Sequence, residues 1–149
     1  MLRIFRLILP AIFIFTSVPN IAQTTELRPL DKYLEEANLA DPATLLYLSL
    51  RCASNYAHAA SVTQNRPELN SQFEAITMNL TILAAGIKAS EAGISQEKAL
   101  QLNMKQFDLM FKAVKEAAEK NWAMTGNYGD ENYHLNLQIC KNFSEMMLN

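Results

Sequence analysis

The feature that most constrains the fold of this chain is the spacing of its apolar residues. Between residues 67 and 92 they recur at intervals of three and four positions: Leu69, Phe73, Ile76, Leu80, Leu83 and Ile87. That spacing places them on one face of an α-helix. The 149 residues include only four glycines and five prolines, and no segment shows the alternation of a β-strand. The sequence therefore predicts an all-α protein.

Helix-start and helix-break signals divide the chain into long helices. Asp41 followed by Pro42 is a helix start, with aspartate as the N-cap and proline at the first helical position. We therefore expect a first long helix over residues 42–64. A break at residues 65–66 precedes a second long helix over residues 67–92.

Glycine, serine and aspartate mark the remaining boundaries. Gly93 favours a left-handed helix end, and Ser95 is a good N-cap for a third long helix over residues 96–125. Residues 126–130 form the clearest turn signal in the chain. The aspartate that ends this turn is the expected cap of a fourth helix over residues 131–147.

Short connections between consecutive long helices favour antiparallel neighbours. We therefore predict an antiparallel up-down-up-down four-helix bundle over residues 41–149. A polar leader at residues 23–40 precedes it and contains one short helix that opens at Asp31.

The first 22 residues have the three parts of a secretory signal peptide. They have a basic start, an apolar run at residues 7–15 and a cleavage position after Ala22. A membrane anchor is the alternative, but residues 4–18 fall short of the roughly 20 apolar residues that a spanning helix needs, and Arg6 interrupts them. We predict a cleaved signal peptide and a periplasmic or secreted protein.

The two cysteines, Cys52 and Cys140, lie near the middle of the first and fourth long helices, on the predicted inner faces. These helices are antiparallel neighbours in the predicted bundle, and an exported protein meets an oxidising environment. We predict a Cys52–Cys140 disulfide that closes a loop of 88 residues. The alternative is a pair of buried free thiols that act as small apolar side chains.

Charge and motifs argue against several classes of function. The formal net charge is −2 for the whole chain and −4 without residues 1–22, and no cluster of basic residues is present. Nucleic-acid binding usually leaves such a cluster. The sequence also lacks a nucleophile elbow, a phosphate-binding glycine loop and the paired histidines of a zinc protease. We therefore expect no nucleic-acid partner and no catalytic activity.

Metal and cofactor sites are not expected. His58 and His134 are the only histidines, and each lies six residues from a cysteine of the predicted pair. Six residues turn each helix by about 600° in the same sense, so the two imidazoles end on opposite sides of the helix pair. We expect two separate, partly exposed histidines. A haem is not expected because the chain has no Cys-x-x-Cys-His motif.

A polar stripe follows the first long helix. Its members are spaced by three and four residues: Tyr47, Arg51, Asn55 and His58. One interpretation is a solvated helix face beside the leader. The functional interpretation is a shallow contact site for a polar or anionic group, with the Arg51 guanidinium as its donor.

The second long helix carries no charge between residues 75 and 87. Small residues occupy its predicted outer side: Thr77, Thr81, Ala84 and Ala85. A surface poor in charge can mark an interface with a protein partner or a second copy of the chain. The alternative is that the leader covers this surface.

Three functional hypotheses remain at this point. The first is an exported binding or accessory protein that acts through its helix faces. The second is a carrier of a small ligand in the bundle interior, near Tyr56, Phe107, Phe111 and Trp122. The third is an enzyme of unfamiliar type that uses Arg51 or His58 beside a carboxylate such as Asp108.

Overall fold

Five helices and no strand make up the regular secondary structure of residues 27–148, the part of the chain that this computed structural model describes. The helices are α1 (Leu30–Leu34), α2 (Pro42–Val62), α3 (Pro67–Ala92), α4 (Gln96–Thr125) and α5 (Glu131–Leu148). The predicted all-α bundle with a short leader helix is confirmed. The predicted signal peptide lies outside the described residues. None of the described helices combines the length and the apolarity that a bilayer crossing requires.

The capping residues act as the sequence indicated. The Asp41 side chain accepts a hydrogen bond from the Ala43 N–H at 3.0 Å, and Ser95 Oγ accepts one from the Lys98 N–H at 3.2 Å. Gly93 has a φ of 60°, a left-handed conformation that a glycine adopts without steric cost. These local signals place the ends of the long helices within one or two residues of their expected positions.

The leader helix α1 is shorter than the predicted stretch and is fastened to α5. Leu30 is fully buried, and its backbone N–H donates to Asn136 Oδ1 at 3.1 Å. Arg28 makes two hydrogen bonds to the Glu36 carboxylate, at 2.9 and 2.8 Å, on the exposed side. The leader therefore packs on the bundle as part of its core.

Helix α2 is the centre of the bundle, since it packs against α3, α4 and α5. Every residue from 48 to 60 is buried except Ala57. The largest group of buried side chains joins α1, α2, α3 and α5: Leu30, Leu48, Cys52, Ala53, Tyr56, Leu80, Cys140 and Phe143. Because three helices pack around α2, it buries polar residues as well as apolar ones.

The predicted disulfide is confirmed. Cys52 and Cys140 are bonded, both are fully buried, and their Cα atoms are 5.2 Å apart. The bond joins the middle of α2 to the middle of α5 across 88 residues of sequence. In the chain-entropy model, closing a loop of this length stabilises the fold by roughly 4 kcal/mol.

Helices α4 and α5 are consecutive in sequence, yet within the described residues they do not pack closely along their length. Each packs on another helix instead, α4 on α2 and α3, and α5 mainly on α2 and α1. The two helices are therefore splayed, and the side of α2 between them forms the floor of a cleft.

Candidate functional site

The cleft between α4 and α5 has a volume of about 730 Å³. Arg51 and Asn55 of α2 form its floor, and small side chains of α4, such as Ala113 and Ala117, form one wall. Tyr133 is on the opposite wall, with other residues of α5. Residues 27–29 and the loop between α4 and α5 complete the enclosure. The volume is large enough for a small organic molecule.

Arg51 is the most unusual residue of this floor. Its side chain is long and charged, yet the residue is only 4 % exposed. Among residues 27–148, nothing accepts a hydrogen bond from its Nε or its Nη1. Burial lowers the pKa of the guanidinium, and the neighbouring Tyr47 acts weakly in the opposite direction. Arginine stays protonated in proteins, so Arg51 is a buried cation with unused donors.

Asn55 lies one helical turn after Arg51 and is 1 % exposed. Its Nδ2 donates a weak hydrogen bond to the Cys140 Sγ of the disulfide, at 3.6 Å. Its Oδ1 is buried and has no donor within the described residues. The two floor residues therefore carry buried donors and a buried acceptor without partners, an arrangement that native interiors normally avoid.

His58 lies further along the same stripe and is 2 % exposed, so the expectation of a partly exposed histidine was wrong. Its Nδ1 is 3.0 Å from the Tyr133 hydroxyl, and the two rings meet edge to face. Burial lowers the pKa of His58, with smaller opposing effects of Glu119 and Lys115. Burial also raises the pKa of Tyr133 to about 12. Both side chains are neutral near pH 7 and hold the cleft wall in place.

The structure brings only part of the predicted polar stripe to the cleft. Arg51 and Asn55 line the floor, whereas the Tyr47 ring packs on Tyr33 of α1 with a 4.4 Å centroid distance. His58 reaches the wall through Tyr133. The interpretation as a solvated face was wrong, because α1, α4 and α5 cover this side of α2.

The charged residues at the mouth of the cleft leave Arg51 without a carboxylate partner. Asp130 Oδ1 accepts the Tyr133 N–H at 2.7 Å and so caps α5. Glu116 lies 3.8 Å from Lys112 on the solvent side of α4. Both carboxylates belong to exposed residues, whereas Arg51 is at the floor.

The small residues predicted as an interface on α3 lie mostly inside the protein. Ala84 and Ala85 are buried, and Ala84 packs with Leu50 and Met110, so their predicted outward placement was wrong. Thr77 and Thr81 are half-buried and donate their hydroxyls to α3 carbonyls. Small residues here let α3 approach its neighbours closely. A protein partner for the exposed side of α3 stays a prediction.

The aromatic residues suggested for a carrier cavity do not share one. Tyr56 packs on Phe73 in the core, Phe107 stacks on Phe111, and Trp122 stacks on Tyr128 near the end of α4. Trp122 is half-exposed because α4, with 30 residues, is longer than α2 and α5, which have 21 and 18, and extends beyond them.

The carboxylate suggested for an enzyme site also lies elsewhere. Asp108 is exposed and does not line the cleft that holds Arg51. No group of three or more His, Cys, Asp or Glu side chains in residues 27–148 is arranged to hold a metal ion.

Sequence reasoning missed the α5 side of the cleft. Tyr133 and Asn136 both line this side, and neither is among the site residues predicted from the sequence. Asn136 is buried, lines the cleft and holds the leader through the Leu30 N–H. Its position three residues after Tyr133, on the same helix face, is the signal that could have found it.

No protein-family model matches this chain, and no characterised protein or solved structure is significantly similar to it. The cleft and its two floor residues are therefore the basis for a functional conclusion.

Proposed function

We propose that this chain is an exported, non-catalytic binding protein that holds a small anionic ligand in the cleft between α4 and α5. The observation that carries the proposal is Arg51, a nearly fully buried cation whose Nε and Nη1 have no acceptor in the described residues. An unpaired buried charge is costly, and an anion that pairs with it recovers much of that cost.

The surroundings of Arg51 support binding rather than chemistry. The carboxylates that line the cleft, Glu116 and Asp130, belong to exposed residues at its mouth. The His58 imidazole has a lowered pKa and is engaged with the Tyr133 hydroxyl. These groups favour holding a ligand over transferring a proton to it.

The disulfide supports the same proposal in two ways. It lies directly beneath the cleft floor, since Cys140 Sγ is the acceptor for Asn55 Nδ2. A floor fastened to a covalent crosslink is preorganised, which reduces the entropy lost on binding. A stable disulfide also fits an oxidising compartment, as the predicted signal peptide does.

Calorimetric titration of the purified oxidised protein tests the proposal. The probes are sodium propionate, sodium lactate and sodium phosphate, each against sodium chloride of equal ionic strength. We expect saturable binding of at least one organic anion by the native protein. The variant Arg51→Met has a side chain of similar length without the charge. Its affinity for the anion should be at least tenfold lower than that of the native protein.

Arg66→Met is the matched control, because Arg66 is an exposed arginine away from the cleft. It should bind as the native protein does. Equal binding by the native protein and Arg51→Met, or no saturable binding of any of the three anions, contradicts the proposal.

A further inference from the structure

We infer that the ligand carries a hydrogen-bond donor next to its anionic group, as 2-hydroxy and 2-amino carboxylates do. This inference rests on the proposed function and names the class of ligand for the same cleft. The observation behind it is Asn55, because an anion that pairs with Arg51 gives the Asn55 Oδ1 no hydrogen-bond donor.

The orientation of the Asn55 amide is fixed by the disulfide. A disulfide sulfur has no hydrogen, so Cys140 Sγ can only accept, and the amide must direct Nδ2 towards it. Oδ1 is then left as a buried acceptor without a donor in the described residues. A ligand that fills the cleft satisfies Oδ1 only if it brings an O–H or N–H.

The two floor residues are near enough on the helix to contact neighbouring groups of one ligand. Arg51 and Asn55 are four residues apart on one helix face, which puts their Cβ atoms about 5–6 Å apart. A carboxylate and a hydroxyl or amino group on the adjacent carbon fit within that span. The carboxylate then accepts from Arg51 while its neighbouring group donates to Asn55.

The walls favour an organic ligand over an inorganic anion. The α4 side of the cleft presents small apolar side chains, among them Ala113, Val114 and Ala117. These side chains offer contact surface to a carbon skeleton. The donors on the same side are Lys120, which is exposed, and Asn121, whose Nδ2 already donates to the Asn127 carbonyl. The volume of about 730 Å³ also exceeds what a single phosphate ion occupies.

Lactate and propionate provide the sharpest test. They share a carboxylate and a three-carbon skeleton, and they differ by one hydroxyl. We expect the native protein to bind lactate about tenfold more tightly than propionate, because a buried acceptor left unpaired weakens binding by about that factor. Inorganic phosphate should bind more weakly than lactate.

Asn55→Leu is the informative variant, because leucine is similar in size and has no acceptor. It should bind lactate and propionate with equal affinity, because neither anion then meets an unpaired acceptor. Should this variant not fold, as judged by its far-UV circular dichroism, the comparison in the native protein decides alone.

The outcomes separate the two proposals. Equal affinity of the native protein for lactate and propionate, or tighter binding of phosphate than of lactate, overturns the inference about the donor while anion binding stands. A lactate preference that persists unchanged in a folded Asn55→Leu variant also overturns it. Failure of all three anions to bind overturns the proposed function itself.

Discussion

The two sides of α2 are built from different chemistry. Towards α3, Leu48 and Leu80 belong to one apolar core, and Tyr56 packs its ring on Phe73. Towards α4 and α5, the same helix buries Arg51 and other polar residues under two splayed helices. A protein can keep a costly buried charge on one side only if the other side supplies enough stability. The comparison therefore assigns the stability that comes from apolar packing to the α3 side and binding to the cleft side, whose floor the disulfide supports.

Removing the disulfide is expected to have the largest effect on stability. The double variant Cys52→Ala, Cys140→Ala should lower the free energy of unfolding by up to about 4 kcal/mol, because the 88-residue loop is no longer closed in the unfolded chain. Denaturant titration measures this change. A loss below about 1 kcal/mol would show that the crosslink contributes little, and the stability of the fold would then rest on packing alone.

Leu80→Ala should lower the stability of the fold on the α3 side of α2 without changing anion binding in the cleft. Leu80 is fully buried in the core, so its truncation should cost about 3 kcal/mol. Ile82→Ala on the same helix is the matched control, since Ile82 is exposed, and it should change stability by less than about 0.5 kcal/mol. Anion affinity of the folded Leu80→Ala protein should equal that of the native protein. A matching loss of affinity would show that the two sides are not separate.

Arg51→Met should raise stability and abolish anion binding, whereas Leu80→Ala should lower stability and leave binding intact. Replacing a buried unpaired charge by an apolar side chain of similar size should raise the stability of the ligand-free protein by about 1 kcal/mol. Anion binding should be lost in the same variant. Thermal unfolding without and with added lactate measures both effects, and a strongly destabilised variant would mean that Arg51 serves the fold.

Changing the pH should have the smallest effect, acting through His58 and Tyr133. Because the pKa of His58 is lowered in the folded state, the unfolded chain binds the proton first, and stability should fall as the pH drops below about 6.5. The pKa of Tyr133 is raised to about 12, so stability should fall again as the pH rises above about 10. Unfolding at pH 5, 7 and 10.5 tests both limbs.

His58→Gln separates the acid limb from general acid effects. The variant lacks the imidazole, so its loss of stability between pH 7 and pH 5 should be smaller than that of the native protein. Parallel curves for the two proteins would show that His58 is not the group that titrates.

The sequence predicted what depends on local signals. The caps Asp41 and Ser95 and the left-handed Gly93 set helix ends through contacts within a few residues. The disulfide was predictable because both cysteines lie at mid-helix positions of antiparallel neighbours.

The cleft depends on relations that one helix cannot encode. Periodicity placed Arg51 and Asn55 on one stripe, but their burial depends on how three other segments cover that stripe. Alanine is compatible with an exposed helix face and with a buried contact between helices. The sequence therefore could not predict that Ala84 and Ala85 are buried. The splay of α4 from α5 arises from packing among all the helices, so no local sequence pattern predicts it.

The most direct test of the central claim observes the Arg51 guanidinium during ligand addition. In ¹⁵N-labelled protein, the Nε–H signal of Arg51 is identified by its absence in Arg51→Met and followed while sodium lactate replaces sodium chloride. We expect a saturable shift of the Arg51 signal, while the signal of Arg66, which lies away from the cleft, stays in place. An Arg51 signal that does not move, or that drifts without saturation together with the other arginines, would contradict the assignment of this cleft as an anion-binding site.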